Sequence, residues 1–263
     1  DNVREMNPTF FFTTPRFFEK HYNNISAEIE KASPFRKRII KWCLKAGARY
    51  NDDTWNVKGT SPDFITSLSY ALAKRLFIND VREKVGRKLR YGGVGGAPMT
   101  AEMLNFFRAC GVPLYEGYGL TEGCGQLAIN RPGVFKFGTV GKPLDGIEVK
   151  VKNDGEIVAR GWLSTPGYWN NPKATEELYE GGWLNTGDIG AFDEDGFLRI
   201  TGRKKEILIT SGGKNVSPSY IENILKLSPF ISQAVVFGEG KDYLVALLTL
   251  NQDEVKRYAQ KNN

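Results

Sequence analysis

Apolar positions recur along the chain at two periods, and the changes between them mark out its elements. Thr9-Phe10-Phe11-Phe12-Thr13 is a short run of β-forming residues ended by Pro15, which predicts a buried strand. From about Arg16 to Lys31 the spacing becomes helical. A second helix is predicted from Pro34 to about Ala48, with Ile39, Ile40, Cys43 and Leu44 on one side and basic residues on the other. Asn51 to Pro62 is polar and turn-rich and reads as a loop. Phe64 to Phe77 is helical in pattern, and Asn79 to Val85 adds another turn or two. Leu89-Arg90-Tyr91 predicts a strand entering the cluster Gly92-Gly93-Val94-Gly95-Gly96-Ala97-Pro98. Pro98 and Thr100 start a helix that runs to about Ala109, and Gly111 stops it. Val112 to Tyr115 is the next strand. Strand, glycine loop, helix and strand make a βαβ unit, which requires a parallel sheet. Such sheets bind ligands at the C-terminal ends of their strands, where this reading puts both the glycine cluster and the Tyr115–Glu122 stretch.

After Glu122 the pattern shortens. Ile147, Val149 and Val151 alternate up to the Asn153-Asp154-Gly155 turn, and Glu156 to Ala159 returns, giving a hairpin. Ile189 to Phe192, the turn Asp193-Glu194-Asp195-Gly196 and Phe197 to Thr201 predict a second hairpin. Residues 138–201 therefore read as an antiparallel β subdomain beside the α/β part. From Glu206 the order is strand, glycine loop, helix (Pro218 to Lys226), two strands (Ile231 to Phe237, Tyr243 to Leu250) and helix, a small α+β unit. The boundary is expected near Gly202, dividing the chain into 1–202 and 203–263.

Composition narrows the function classes. No run of 18 apolar residues is present, so no membrane-spanning helix is expected. Cys43, Cys110 and Cys124 show no Cys-x-x-Cys spacing, which argues against a zinc site and a disulfide framework and favours a reducing compartment. His21 is the only histidine, so a Ser-His-Asp triad has little to draw on; a surface position is expected for it. The net charge of +6 suits nucleotides, coenzymes or anionic lipid. No nucleic-acid-binding motif accompanies it, and no nucleic acid partner is expected. The expected setting is cytoplasmic. The basic side of the 34–48 helix fits a membrane surface, and it also fits an ordinary surface helix with a basic rim. The chain starts at Asp1 without a signal-peptide pattern, and a cut end is expected there.

Three stretches carry candidate chemistry. Tyr115-Glu-Gly-Tyr-Gly-Leu-Thr-Glu122 offers bare backbone at Gly117 and Gly119, the flat ring of Tyr118, the Thr121 hydroxyl and the Glu122 carboxylate. Glycine–aromatic turns account for the same residues without any ligand. The cluster at 92–97 is not a phosphate-binding Walker loop, because Gly-Lys-Ser/Thr is missing. Pro98 also stands where a dinucleotide fingerprint needs its third glycine. Asn185-Thr186-Gly187-Asp188 places a carboxylate after a tight turn at a strand mouth. It could accept both hydroxyls of a ribose, or be a plain Asx-type turn. Thr201-Gly202-Arg203-Lys204-Lys205-Glu206 and Ser211-Gly212-Gly213-Lys214-Asn215 read as a solvated basic hairpin, or as a hinge whose arginine reaches ribose and phosphate.

Gly95-Gly96-Ala97-Pro98, Tyr118-Gly119-Leu120-Thr121-Glu122, Thr186-Gly187-Asp188 and Gly202-Arg203-Lys204-Lys205-Glu206 occur in that order. Together they resemble the adenylate-forming superfamily of acyl-CoA synthetases, luciferases and peptide-synthetase adenylation domains. Gly181-Gly182-Trp183-Leu184-Asn185-Thr186-Gly187-Asp188-Ile189-Gly190, with Asp195-Gly196-Phe197-Leu198 and Gly202-Arg203-Lys204-Lys205, is similar to the fatty acyl-CoA synthetase motif. Pro8-Thr9 through Pro15-Arg16 resembles the long-chain branch. The resemblance implies fatty-acid activation by ATP with Mg²⁺, followed by transfer to coenzyme A. It implies that Gly95, Gly96 and Ala97 border adenine and that Tyr118 stacks on it beside Gly119. Thr121 would contact phosphate, Glu122 would hold Mg²⁺, and Asp188 and Arg203 would take the ribose. Lys205 would be the hinge, and Ser211, Gly212 and Gly213 would line the coenzyme A path.

Two family features are absent from these 263 residues: the Ser/Thr/Gly-rich phosphate loop and the catalytic lysine of the small domain. The expectation is an internal piece of a longer synthetase, poorly active alone. Two alternatives remain open: an adenylation domain that loads a carrier-protein thiol, and an inactive truncated protein that acts only by interaction.

Overall fold

The structure, a computed structural model, describes residues 2–52, 60–226 and 228–262. Most of the predicted 51–62 loop lies outside the described residues. Contacts divide the chain into two units, 1–121 with 125–144, and 122–124 with 145–263.

The first unit is built on a mixed five-stranded sheet in the order β1-β2-β3-β4-β5. β1 (Phe10–Thr13), β2 (Tyr91–Gly95) and β3 (Leu114–Leu120) run parallel, as the βαβ pattern requires. β4 (Gly125–Ile129) and β5 (Lys142–Pro143) return antiparallel. After a short α1 (Asn2–Met6), the helices are α2 (Pro15–Lys31), α3 (Pro34–Tyr50), α4 (Phe64–Ala73), α5 (Asn79–Val85) and α6 (Ala101–Ala109). A π-helical turn, Lys74–Ile78, joins α4 to α5 without a break. Side-chain caps fix three helix starts: Ser33 accepts from the Arg36 N–H, Asp63 from Thr66 and Thr100 from Met103. The core gathers Phe18, Ile25, Ile40, Cys43, Phe77, Ile78 and Leu104 with Val94, Phe107 and Leu114. Along α4 and the π turn, Ile65, Leu68, Leu72 and Leu76 point outward and are exposed.

Three strand expectations for this unit need correction. β1 is not buried: it is the terminal strand of the sheet, and Phe10 and Phe12 are 48% and 47% exposed. The strand expected at 89–91 instead runs through the glycines. A Cβ on Gly93 would lie 2.3 Å from Phe12 Cδ2, and one on Gly92 would lie 2.8 Å from Leu114 Cδ2. The glycines of β2 thus make room for side chains of the neighbouring strands, and only Gly96 onward leaves the sheet. β3 likewise continues past Tyr115 and carries Gly117, Tyr118 and Gly119 within it. His21 is half-buried, its ring 4.7 Å from that of Phe17.

In the second unit, β6 (Ile147–Val151), β7 (Glu156–Gly161), β9 (Trp183–Phe192) and β10 (Leu198–Arg203) form an antiparallel sheet in the order β10-β9-β7-β6. β8 (Tyr179–Glu180) pairs with β9. α7 (Pro172–Leu178) precedes β8 and is capped by Asn171, which accepts from the Ala174 N–H. The chain continues through the small hairpin β11 (Leu208–Ile209) and β12 (Asn215–Val216) to α8 (Pro218–Leu225). β13 (Ile231–Phe237), β14 (Val245–Leu250) and α9 (Gln252–Asn262) close it. β9 begins six residues before the predicted Ile189, so Asp188 lies inside a strand and not at its mouth.

Candidate active site

The first unit holds Gly95, Gly96, Ala97, Tyr118, Gly119 and Thr121. Gly95 and Gly117 are register partners across β2 and β3. Beyond Gly95 the chain turns at Gly96 (φ +86°), where Ala97 and Pro98 are exposed, before Thr100 caps α6. Tyr118 is buried to 9% exposure. A bulge separates it from Gly119 in the β3–β4 pairing. A Cβ on Gly119 would lie 1.7 Å from the Gly125 carbonyl oxygen, so only glycine fits this crossing. Thr121 opens a 3-10 turn, Thr121–Gly123, and is exposed.

Glu116 lies inside the same motif, and sequence reasoning gave it no role. It is 6% exposed. Its Oε1 accepts the Met99 N–H at 2.9 Å, tying β3 to the segment that follows Gly96. Oε2 is buried and makes no close hydrogen bond among the described residues. Burial pushes this carboxyl up to about 7, and backbone N–H groups only partly oppose the shift.

Glu122, Asp188, Arg203, Lys205, Ser211, Gly212 and Gly213 belong to the second unit. Glu122 is held from two sides: its Oε1 accepts the Tyr168 hydroxyl at 2.6 Å and its carbonyl accepts the Thr165 N–H at 2.8 Å. Tyr179 in turn donates its hydroxyl to the Thr165 carbonyl. The hydrogen bond to Glu122 raises the Tyr168 phenol above its ordinary range. Glu122 is one hard oxygen donor beside a hydroxyl. Among the described residues no cluster of three metal-binding side chains occurs. The single carboxylate of Glu122 fits Mg²⁺, which takes one or two carboxylates and fills its other positions with phosphate oxygens and water.

The structure brings Asp188 and Arg203 together. They are register partners on β9 and β10, and Arg203 Nε donates to Asp188 Oδ1 at 3.0 Å. The carboxylate is 8% exposed and the guanidinium side chain 61%. A second set of bonds shapes the Asp188 backbone. Thr186 Oγ1 donates to the Ile157 carbonyl at 2.7 Å and accepts the Asp188 N–H at 3.1 Å. Gly187 takes φ +70°, and its N–H goes to Glu156 Oε1 at 3.2 Å. Lys205 lies in an exposed 3-10 turn, Lys204–Glu206. Ser211, Gly212 and Gly213 form the exposed tip between β11 and β12, with Ser211 donating to Asp242. Sequence reasoning missed Tyr168 and Glu156. Tyr168 carries no local signal, whereas Glu156 stands directly after the predicted Asn153-Asp154-Gly155 turn.

Residues 1–169 match the family described as AMP-binding enzyme. The chain belongs to that family. Residues 205–262 of this AMP-binding enzyme also match the family's C-terminal domain. The chain is 40% identical over 256 residues to the long-chain-fatty-acid–CoA ligase FadD15 of Mycobacterium bovis, covering 97% of this chain and 42% of that protein. It is 36% identical to the long-chain-fatty-acid–CoA ligase ACSBG2 of Xenopus laevis, covering 94% and 34%. Among solved structures it resembles the o-succinylbenzoate-CoA synthetase of Bacillus subtilis. The complex of that enzyme with AMP gives a TM-score of 0.59 at 26% identity, covering 79% of this chain and 50% of that one. Its complex with ATP and magnesium gives 0.58 at 25% identity, covering 82% and 59%. This AMP-binding enzyme chain therefore spans about two fifths of the first of these ligases.

Proposed function

We propose that the protein is a long-chain fatty acid–CoA ligase and that these residues carry its adenosine-binding share. The observation that carries the reading is the Asp188–Arg203 pair, a nearly buried carboxylate with an exposed guanidinium beside it. That geometry suits a ribose diol next to a phosphate: the carboxylate accepts hydroxyl hydrogens, and the guanidinium meets the phosphate charge. The names of the ligases that match most of the chain support the substrate class.

On this reading a fatty carboxylate oxygen attacks the α-phosphorus of ATP, and the bond to pyrophosphate breaks. The coenzyme A thiolate then attacks the acyl carbon, and the bond to AMP breaks. Gly95, Gly96 and Ala97 border the adenine, with Tyr118 and Gly119 beside it. Thr121 donates to phosphate. Asp188 and Arg203 fix the ribose, and Arg203 also offsets phosphate charge. Glu122, oriented by Tyr168, would hold Mg²⁺, which neutralises charge on the phosphates. Lys205 is assigned to the hinge, and Ser211, Gly212 and Gly213 to the coenzyme A path. The boundary between the large and small domains is placed at Gly202–Arg203. The start of the C-terminal family match at residue 205 supports it.

The complete protein is further proposed to touch an anionic membrane surface peripherally. Two features support this: α3 carries Arg36, Lys37, Arg38, Lys41, Lys45 and Arg49 without an acidic residue, and α4 presents its exposed apolar stripe. No helix among the described residues is long and apolar enough to cross a membrane. The test of substrate class is acyl-CoA formation with palmitate, acetate and benzoate, using protein from the complete reading frame. Preference for palmitate is expected, and preference for acetate or benzoate would overturn the assignment.

A further inference from the structure

Asp188 does not sit on a regular strand. Between β7 and β9 the register passes from Glu156↔Ile189 to Val158↔Asn185, so residues 186–188 together face Ile157. A bulge of this kind re-aims a side chain, and it also removes backbone N–H groups from the ladder. Each such N–H then needs another acceptor, because a buried amide without one is costly. Asp188 uses its own neighbour, Thr186 Oγ1. Gly187 has Glu156 Oε1.

Glu156 is itself 5% exposed, so its charge must be compensated. Its Oε2 accepts from Lys204 Nζ at 2.8 Å, and Lys152 Nζ lies 3.8 Å away. Lys204 also donates to Asp154 Oδ2 at 2.7 Å. These hydrogen bonds, to Asp154 and then Glu156, hold the Lys204 ammonium protonated far above its ordinary range. Lys204 directly follows Arg203, the partner of Asp188. One buried carboxylate therefore grips the strand residue before the ribose acid and the residue after its arginine.

We propose that Glu156 is a positioning residue for nucleotide binding, fixing Asp188 through the Gly187 amide and Arg203 through Lys204. The proposal rests on the ligase reading for its ligand. The exposed contact of Lys204 with Asp154 contributes little by itself, because solvent screens it. The bond that the Gly187 N–H donates to Glu156 is less exposed to solvent, and it holds the backbone directly before Asp188.

The test compares Glu156→Ala, Glu156→Gln and Lys204→Met in protein from the complete reading frame. Glu156→Gln keeps an acceptor for Gly187 and the side-chain shape, so it covers the case in which Glu156→Ala fails to fold. Glu156→Ala is expected to raise KM for ATP by about tenfold or more, the scale of losing a hydrogen bond to a charged group. KM for the fatty acid stays unchanged. Glu156→Gln and Lys204→Met are expected to raise KM for ATP by roughly threefold each. Hydrogen exchange without substrate is the second readout: the Gly187 amide should exchange faster in Glu156→Ala and near the wild-type rate in Glu156→Gln. If the wild type forms no acyl-adenylate, the ligase reading fails, and Gly187 exchange still decides whether Glu156 holds that amide. Unchanged KM for ATP together with unchanged Gly187 exchange would overturn the proposal. A parallel rise in KM for ATP, fatty acid and coenzyme A would also overturn it, since general loosening would then explain the effect.

Discussion

Arg203 Nε reaches Asp188 Oδ1 at 3.0 Å across two bulged strands, β9 and β10. The two residues are direct register partners, just past the irregularity between Ile200 and Gly202 on β10, so their side chains lie on one face of the sheet. Removing the charge at Asp188 should weaken AMP binding by roughly ten- to a hundredfold, the scale of hydrogen bonds to an ionised acceptor. Asp188→Asn keeps the shape, so calorimetric titration with AMP reads the charge itself. Affinity equal to wild type would remove Asp188 from the site.

Glu116 makes stability depend on pH. The folded protein holds this proton up to about 7, against an ordinary value of 4.5. Within that window the folded state binds the proton more tightly than the unfolded chain. The resulting stabilisation is complete below 4.5 and is lost as pH rises through 7. Glu116→Gln keeps the acceptor for Met99 and does not ionise. Urea denaturation should show the variant gaining on the wild type as pH rises from about 5 to about 8, by ~1–3 kcal/mol. A difference constant across that range would contradict the shift.

Gly119 has no room for a side chain, since a Cβ would lie 1.7 Å from a backbone oxygen of Gly125. Gly119→Ala should therefore force β3 and β4 apart and cost at least ~2 kcal/mol, measured by thermal denaturation. Wild-type stability in this variant would show that the close crossing is not maintained in solution.

The basic helix α3 and the exposed stripe Ile65, Leu68, Leu72 and Leu76 predict sedimentation of the complete protein with vesicles containing phosphatidylglycerol. Binding should fall steeply with salt and with the double change Leu68→Glu and Leu72→Glu. Equal recovery in the supernatant with and without vesicles would rule this surface out.

Much of the architecture was legible because local signals agreed with tertiary ones. Thr100 and Gly111 bracket a helix, and the alternation at 147–151 and the Asn153-Asp154-Gly155 turn mark a hairpin. The strands that carry glycine were misplaced. Glycine in sequence suggests a turn, yet at Gly92, Gly93 and Gly119 it answers to a neighbour's ring, methyl or carbonyl that only folding brings near. Asp188 was legible as a candidate from Thr-Gly-Asp, but its place within β9 was not, because a bulge leaves no period to read. The start of α7 is also marked in the sequence, by the cap Asn171 followed by Pro172. Tyr168 and Glu156 make their contacts 46 and 31 residues away in the chain, to Glu122 and Gly187, and no local spacing reports such pairs.

The most direct measurement is fatty-acid-dependent exchange of labelled pyrophosphate into ATP by protein from the complete reading frame. Exchange should appear with palmitate, stay near background with acetate, and fall by about a hundredfold in Asp188→Ala. No palmitate-dependent exchange, or exchange that Asp188→Ala leaves intact, would contradict the assignment of Asp188 and Arg203 to the nucleotide of an acyl-adenylate-forming site.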